Sequence, residues 1–262
     1  MKDIFERLGK KILVSMESLG KFAIFTRSLI RWVFAGYFEW KQILIQMLRI
    51  GVESMPVSVM TAFFTGMVLA LQSGESSKHF LNEPLFIGTL VSFSMVMELA
   101  PVMTALVVSG RAGAAIAAEL GTMKVTEQID ALYTLGTDPV RYLVIPRVVA
   151  FLLVLPLLTV MSDFSGIAGG YLVAKLKFDI APNVYWHDII DNMRIRHFAH
   201  GYIKTYVFAF AISLICCFKG IETRGGAEGV GKSTTAAVVI SMVSVLVLDY
   251  FVTAVLVAVG IT

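Results

Sequence analysis

Eight residues, Gly226-Ala-Glu-Gly-Val-Gly231-Lys232-Ser233, spell the phosphate-cradling pattern of a nucleotide-binding loop. Downstream, Val245-Leu-Val-Leu248-Asp249 imitates the apolar strand that ends in a magnesium-holding aspartate. Taken alone, the pair would bind ATP. Its setting forbids that reading. Such a loop joins a buried parallel strand to a helix in a water-accessible α/β domain, yet Lys232 opens the stretch 233–262, whose single charge is Asp249. On one helix Asp249 would lie roughly 25 Å beyond Lys232 at 1.5 Å per residue, too far to share an ion with it. The glycines are expected instead to make a flexible turn, with Lys232 marking a membrane boundary.

The other residues with chemical potential are charges isolated in apolar runs: Glu98, Asp163, Lys204 and Asp249. A charge at mid-bilayer costs at least about 2.5–3.5 kcal/mol, so each should face a bundle interior, a partner or a water-filled cavity. One cation and two carboxylates (Lys204, Glu98 and Asp249) can share a network, either lining a path for a polar headgroup or ion or fixing helix register. Asp163 precedes Gly166, Gly169 and Gly170 and marks a close helix crossing or a break. His197 and His200 have metal-compatible i, i+3 spacing but no accompanying carboxylate or cysteine pattern, and read as interfacial. Cys216 and Cys217 are adjacent, which strains a mutual bridge; they read as small core residues. No catalytic residue and no metal site is expected.

The elements that must position these groups follow from charge spacing. Charged residues make up 16% of the 262 and hydrophobic ones 57%, whereas a soluble domain carries about 25% charge. The stretches 54–74, 84–110, 148–174, 197–218 and 233–262 contain at most one charge each. About 20 apolar residues cross the hydrocarbon as a helix, while barrel strands would be half as long and alternating. The fold class is therefore all-α integral membrane, with about five transmembrane helices. With the N-terminus in the cytoplasm, sixteen lysines and arginines fall on that side and six on the other, which sets the C-terminus outside. A net charge of +3 gives no argument for nucleic acid.

Residues 1–50 form a separate region with no apolar run long enough to span. Leu19, Phe22, Ala23, Ile30, Val33 and Phe34 share one helical face flanked by Lys21, Arg27 and Arg31, the pattern of an amphipathic helix lying in the interface. Within the region 51–262, Ser109, Gly113, Ala117 and Gly121 repeat every four residues and permit close helix approach. Gly166 and Gly170 do the same near Asp163. Val125, Ile129 and Leu132 then line one face of a short helix whose other faces carry Glu127, Gln128 and Asp130. Gly136 is placed to cap its end, and Asp138-Pro139 to start the next helix.

Two long stretches carry a family resemblance: Glu98-Leu-Ala-Pro through Ser109-Gly-Arg111-Ala-Gly113 and Glu119 to Leu132, then Gly136-Thr-Asp138-Pro139-Val-Arg141 to Arg147. With Gly229-Val-Gly231-Lys232-Ser-Thr-Thr235 and Leu248-Asp249-Tyr-Phe251, they resemble the MlaE (YrbE) permeases from about residue 50 to the end. Lys232 stands where arginine is commoner. The resemblance implies a homodimeric permease of an ABC transporter that moves phospholipids between the inner and outer membranes of a Gram-negative envelope. It implies a cytoplasmic ATPase dimer that binds the ATP and magnesium, a periplasmic hexamer of MCE proteins, and in many systems a STAS-domain subunit. The helix at 124–135, with Val125, Glu127, Ile129, Asp130 and Leu132, then matches the coupling helix that docks on the ATPase. Glu98, Lys204 and Asp249 match polar positions that bear on lipid transport. The competing class from the residues alone is a secondary transporter or channel for a small polar solute, for which internal repeats or paired broken helices are expected; neither stands out.

Overall fold

The computed structural model describes residues 2–34, 36, 39–81 and 86–260. It contains eight helices among those residues: α1 (Lys2–Phe34), α2 (Trp40–Leu81), α3 (Ile87–Val125), α4 (Gln128–Thr134), α5 (Val140–Phe178), α6 (Pro182–Asn192), α7 (Ile195–Ile221) and α8 (Gly226–Val259). Five of them (α2, α3, α5, α7 and α8) are long and apolar enough to cross a membrane. The five expected spans therefore all exist, each as the middle of a longer helix; the expected ends at Pro84 and Thr262 lie outside the described residues. Charge marks where hydrocarbon stops, not where a helix does. At the α4 end Arg49 of α2 pairs with Glu119 of α3 at 3.1 Å, and Arg111 of α3 pairs with Glu53 of α2 at 2.9 Å, so the helices run on through their charged ends. The division at residue 50 accordingly falls inside α2.

Lipid tails are as apolar as leucine, so helices in a bilayer associate by close packing of small residues rather than by burial from water. The sequence supplies those residues where the backbones meet. A Cβ built on Gly66 of α2 would collide with the Gly166 carbonyl oxygen of α5, and one on Gly169 would strike the Phe63 carbonyl oxygen. On α3, Gly113 faces Cys216, Gly121 faces Thr223, and Ala117 lies under Gly220, so the four-residue stripe seats α7. Two packed clusters result. One at the α4 end includes Phe25, Leu29, Leu120, Ile129 and Phe151, and one at the α6 end includes Val91, Met95, Tyr185 and Ile189. Cys216 and Cys217 are free and buried, as core residues.

α6 closes its end of the bundle. Asp188 accepts hydrogen bonds from the Thr89 backbone N–H at 2.9 Å and the Thr89 hydroxyl at 2.6 Å, which clamps α6 on the start of α3. Burial pushes the phenol of Tyr185 upward in pKa, with a smaller contribution from Asp188. At the opposite end α1 lies across α5 and α7. Its inward side is Phe22, Phe25, Leu29 and Trp32, which shares only Phe22 with the stripe singled out in the sequence: Phe22 meets Phe218 edge-on at 5.1 Å, and the Trp32 indole donates to Asp138 at 2.8 Å. Leu19, Ala23, Ile30 and Val33 face outward instead; the side chain of Phe34 lies outside the described residues. The helix has two apolar sides, and the sequence pattern registered the one that tertiary packing leaves open.

Candidate functional site

Glu98 and Lys204 come from α3 and α7, near the junction of the two packed clusters. The Lys204 ammonium donates to Glu98 Oε2 at 2.5 Å and sits 3.0 Å from Asp249 Oδ1 on α8. Lys204 is fully buried, Asp249 is three-quarters covered, and Glu98 is 42% exposed. The three residues thus form the network their spacing allowed. The geometry has local causes. Glu98 lies in a π-helical turn, Met95–Leu99, a widening that often accompanies functional residues because it re-aims one side chain. Gly201, one turn before Lys204, packs against the Val96 carbonyl, so α7 approaches α3 closely enough for the ammonium to reach across. Its two carboxylates carry one charge more than the ammonium neutralises, and the most exposed of the three groups is a carboxylate.

One neighbour was not legible as a member of this site. His200 is buried one turn from Lys204, with Nε2 3.9 Å from Glu98 Oε1. His197 is also buried; its Nδ1 accepts the Arg194 backbone N–H at 3.0 Å and its ring packs 4.5 Å from Phe93. Both rings lie on the inner face of α7 within its first two turns, near the helix end and turned to the bundle. Asp163 lies apart from the network. It is buried on an unbroken α5, and its Oδ1 has no hydrogen-bond partner among the described residues. The close crossing marked by Gly166, Gly169 and Gly170 is present; a helix break is not.

The nucleotide-loop look-alike is regular helix. Gly225 and Gly226 take left-handed backbone angles (φ 92° and 67°), and everything from there to Val259 is α8. The turn is therefore confined to two glycines rather than spread over the motif. Lys232 is exposed and pairs with Glu228 one turn away at 2.6 Å. A continuous helix directs its N–H groups along its own axis and cannot wrap a phosphate.

The short helix after α3 is held as the sequence anticipated. Gly136 is left-handed (φ 76°), with its N–H bonded to the Tyr133 carbonyl and that of Thr137 to the Leu132 carbonyl. Asp138 caps α5 by accepting the Val140 N–H at 2.9 Å. Its faces are assigned differently, however. Ile129 is 1% exposed and belongs to the core, Val125 and Leu132 are half-buried, and Glu127 and Asp130 are exposed, with Asp130 held 2.7 Å from Lys124. The open apolar residues are Tyr133 and Leu135, at 59% and 78% exposure. The covered part of the Tyr133 side chain loses solvent, and together with the nearby Asp138 carboxylate this raises its phenol above the ordinary pKa. Beside this helix Arg147, buried, bridges to Glu119 at 2.9 Å and to the Leu143 carbonyl at 2.6 Å, so Glu119 ties α2, α3 and α5 together.

Five helices able to cross a membrane, packed around a buried ion network, define a multi-pass all-α membrane protein. Comparison with known proteins makes this specific. Residues 43–255 match the family model described as Permease MlaE, and the chain belongs to that family. It is 42% identical over 251 residues to a probable ABC transporter permease protein of Rickettsia bellii, covering 96% of each chain. A probable ABC transporter permease protein of Synechocystis is 42% identical over 219 residues, 84% of this chain and 83% of its own. Protein TRIGALACTOSYLDIACYLGLYCEROL 1, chloroplastic, of Arabidopsis thaliana is 40% identical over 219 residues, 83% of this chain and 62% of its own. The chain is a permease subunit of an ABC transporter.

Proposed function

We propose that this permease moves phospholipids between the inner and outer membranes of a Gram-negative envelope, in the inner membrane, as a homodimer. A cytoplasmic ATPase dimer supplies ATP hydrolysis, an MCE-protein hexamer caps the periplasmic side, and a STAS-domain subunit can join the ATPase; nucleic acid has no part. The observation that carries the reading is the Lys204 ammonium held between Glu98 and Asp249 inside an apolar bundle. A phospholipid is apolar along most of its length and needs polar partners only for its headgroup, which this arrangement supplies once. α8 adds to the argument: 11% of its most apolar window is buried, against 72% for α5. A helix that open presents its surface to lipid or to a second copy. The plant relative bears the name of a diacylglycerol glycolipid, which favours a lipid over a small polar solute.

The cytoplasmic side is the α4 end, where most of the chain's lysines and arginines gather, and the N-terminus lies there with the C-terminus in the periplasm. Reconstitution of the chain with its ATPase in liposomes containing a labelled phospholipid tests the function. ATP-dependent removal of the label to an MCE-protein acceptor is the expected result. Active ATP hydrolysis with no movement of any phospholipid would overturn it.

A further inference from the structure

We infer that the α4 end holds a second amphiphile site, for an anionic phospholipid that is bound in place rather than transported. Two recesses meet there under α1. One, of about 460 Å³, is bordered by Lys21, Lys219, Arg224 and Lys232 with Glu17 and Glu222. The other, of about 370 Å³, shares Lys21, Glu222 and Arg224 and continues along Ile24, Phe25, Phe218 and Ile221 to Tyr133 of α4.

The charges do not cancel evenly. Lys21 is held by Glu17 at 2.6 Å and Lys232 by Glu228 at 2.6 Å, while Glu222 lies only 3.9 Å from Lys21. Among the described residues, neither Lys219 nor Arg224 has a carboxylate within ion-pair distance. Arg224 borders both recesses, while Lys219, its ammonium 5.8 Å from the Phe218 ring centroid, borders the first; the second is walled by aromatic and aliphatic side chains and also holds Lys124 and Asp138. That combination suits a phosphate group attached to an acyl chain, the way basic pockets between membrane helices bind anionic headgroups. Lys219 lies 15 residues from Lys204 on α7, roughly 22 Å along the axis at 1.5 Å per residue, so the site is separate from the ion network. Its walls join α1 to α4 and to the turn before α8. Occupancy would therefore fix α1 against the short helix.

Native mass spectrometry of the full chain, released from detergent with phosphatidylglycerol or phosphatidylcholine, tests the site. The wild-type chain is expected to retain phosphatidylglycerol preferentially. Lys219→Gln with Arg224→Gln should weaken that retention roughly thirtyfold, as expected for two cations near a membrane surface. Arg224→Gln alone changes an exposed residue and should give part of the loss without disturbing the fold. Ile24→Gln, also at an exposed position, should weaken retention with the charges unchanged. Equal retention of both lipids by the wild type, or full retention of phosphatidylglycerol by the double variant, overturns the proposal. Displacement of the lipid by millimolar inorganic phosphate would assign the cations to a free anion and overturn the lipid source.

Discussion

Lys204 and Glu98 meet at 2.5 Å although 106 residues separate them in the chain, and the contact bridges two membrane-spanning helices. With Asp249 on a third, the ammonium has a carboxylate on each of two neighbours. Removing one partner of a buried pair costs about 3–5 kcal/mol; without Lys204 the two carboxylates face each other with no cation between them, and the partial exposure of Glu98 puts the loss at the low end of that range. Lys204→Met is therefore expected to lower the midpoint of thermal unfolding in detergent and to abolish lipid movement. The triple variant Lys204→Met, Glu98→Gln, Asp249→Asn removes every charge of the network and should recover most of the lost stability. Lipid movement should stay absent in it; recovered movement would make the network purely structural.

Asp163 provides the contrast. It is equally deep in the bundle, but no cation answers it and its Oδ1 has no hydrogen-bond partner among the described residues. An unsatisfied buried polar group costs about 1–3 kcal/mol. Asp163→Asn should thus leave stability unchanged or raise it by up to about 1 kcal/mol, read as a shift of the unfolding midpoint upward. A drop as large as that of Lys204→Met would require a charged partner for Asp163.

The crossing of α2 and α5 depends on the absence of side chains. Gly66→Ala sets a methyl group against the Gly166 backbone, which cannot swing aside as a flexible side chain would. Overpacking of this kind costs about 1–3 kcal/mol. Gly231→Ala is the matched control: it lies in α8 with nothing within 4 Å of the new methyl group, and is expected to be neutral or stabilising by about 0.4–1 kcal/mol. Unfolding of the two variants in mixed micelles of increasing denaturing detergent separates them. Equal stability would remove the crossing as a determinant of the fold.

These comparisons also show where sequence was informative. The five spans were legible because membrane solubility is written in composition, and Gly136 and Asp138 because caps are local chemistry. The network was legible as a set of types, one cation and two carboxylates stranded in apolar runs, though only packing decides that Lys204 reaches both. The inner side of α1 was not legible. Phe25 and Leu29 are buried by Phe218 and α5, partners far away in sequence, and a single amphipathic stripe cannot announce a second apolar side. His200 was missed for a similar reason: its burial depends on where α7 begins, which a count of uncharged residues leaves several positions uncertain.

The same distinction decides which face of α4 we propose for docking on the ATPase. A stripe of Val125, Ile129 and Leu132 reads as a docking face, but Ile129 is spent on the permease's own core, and the apolar groups left open are Tyr133 and Leu135. Leu135→Asp should therefore weaken association with the ATPase by about tenfold, an ordinary effect for a central interface residue, with the permease's own unfolding midpoint unchanged. Ile129→Asp should act the other way round. A carboxylate there replaces a buried core side chain, so the permease itself loses stability, and any loss of ATPase binding follows from that. Co-purification and thermal unfolding, measured on the same two preparations, distinguish the outcomes. If Leu135→Asp binds the ATPase as the parent does while Ile129→Asp unfolds no earlier, neither residue holds the role assigned to it.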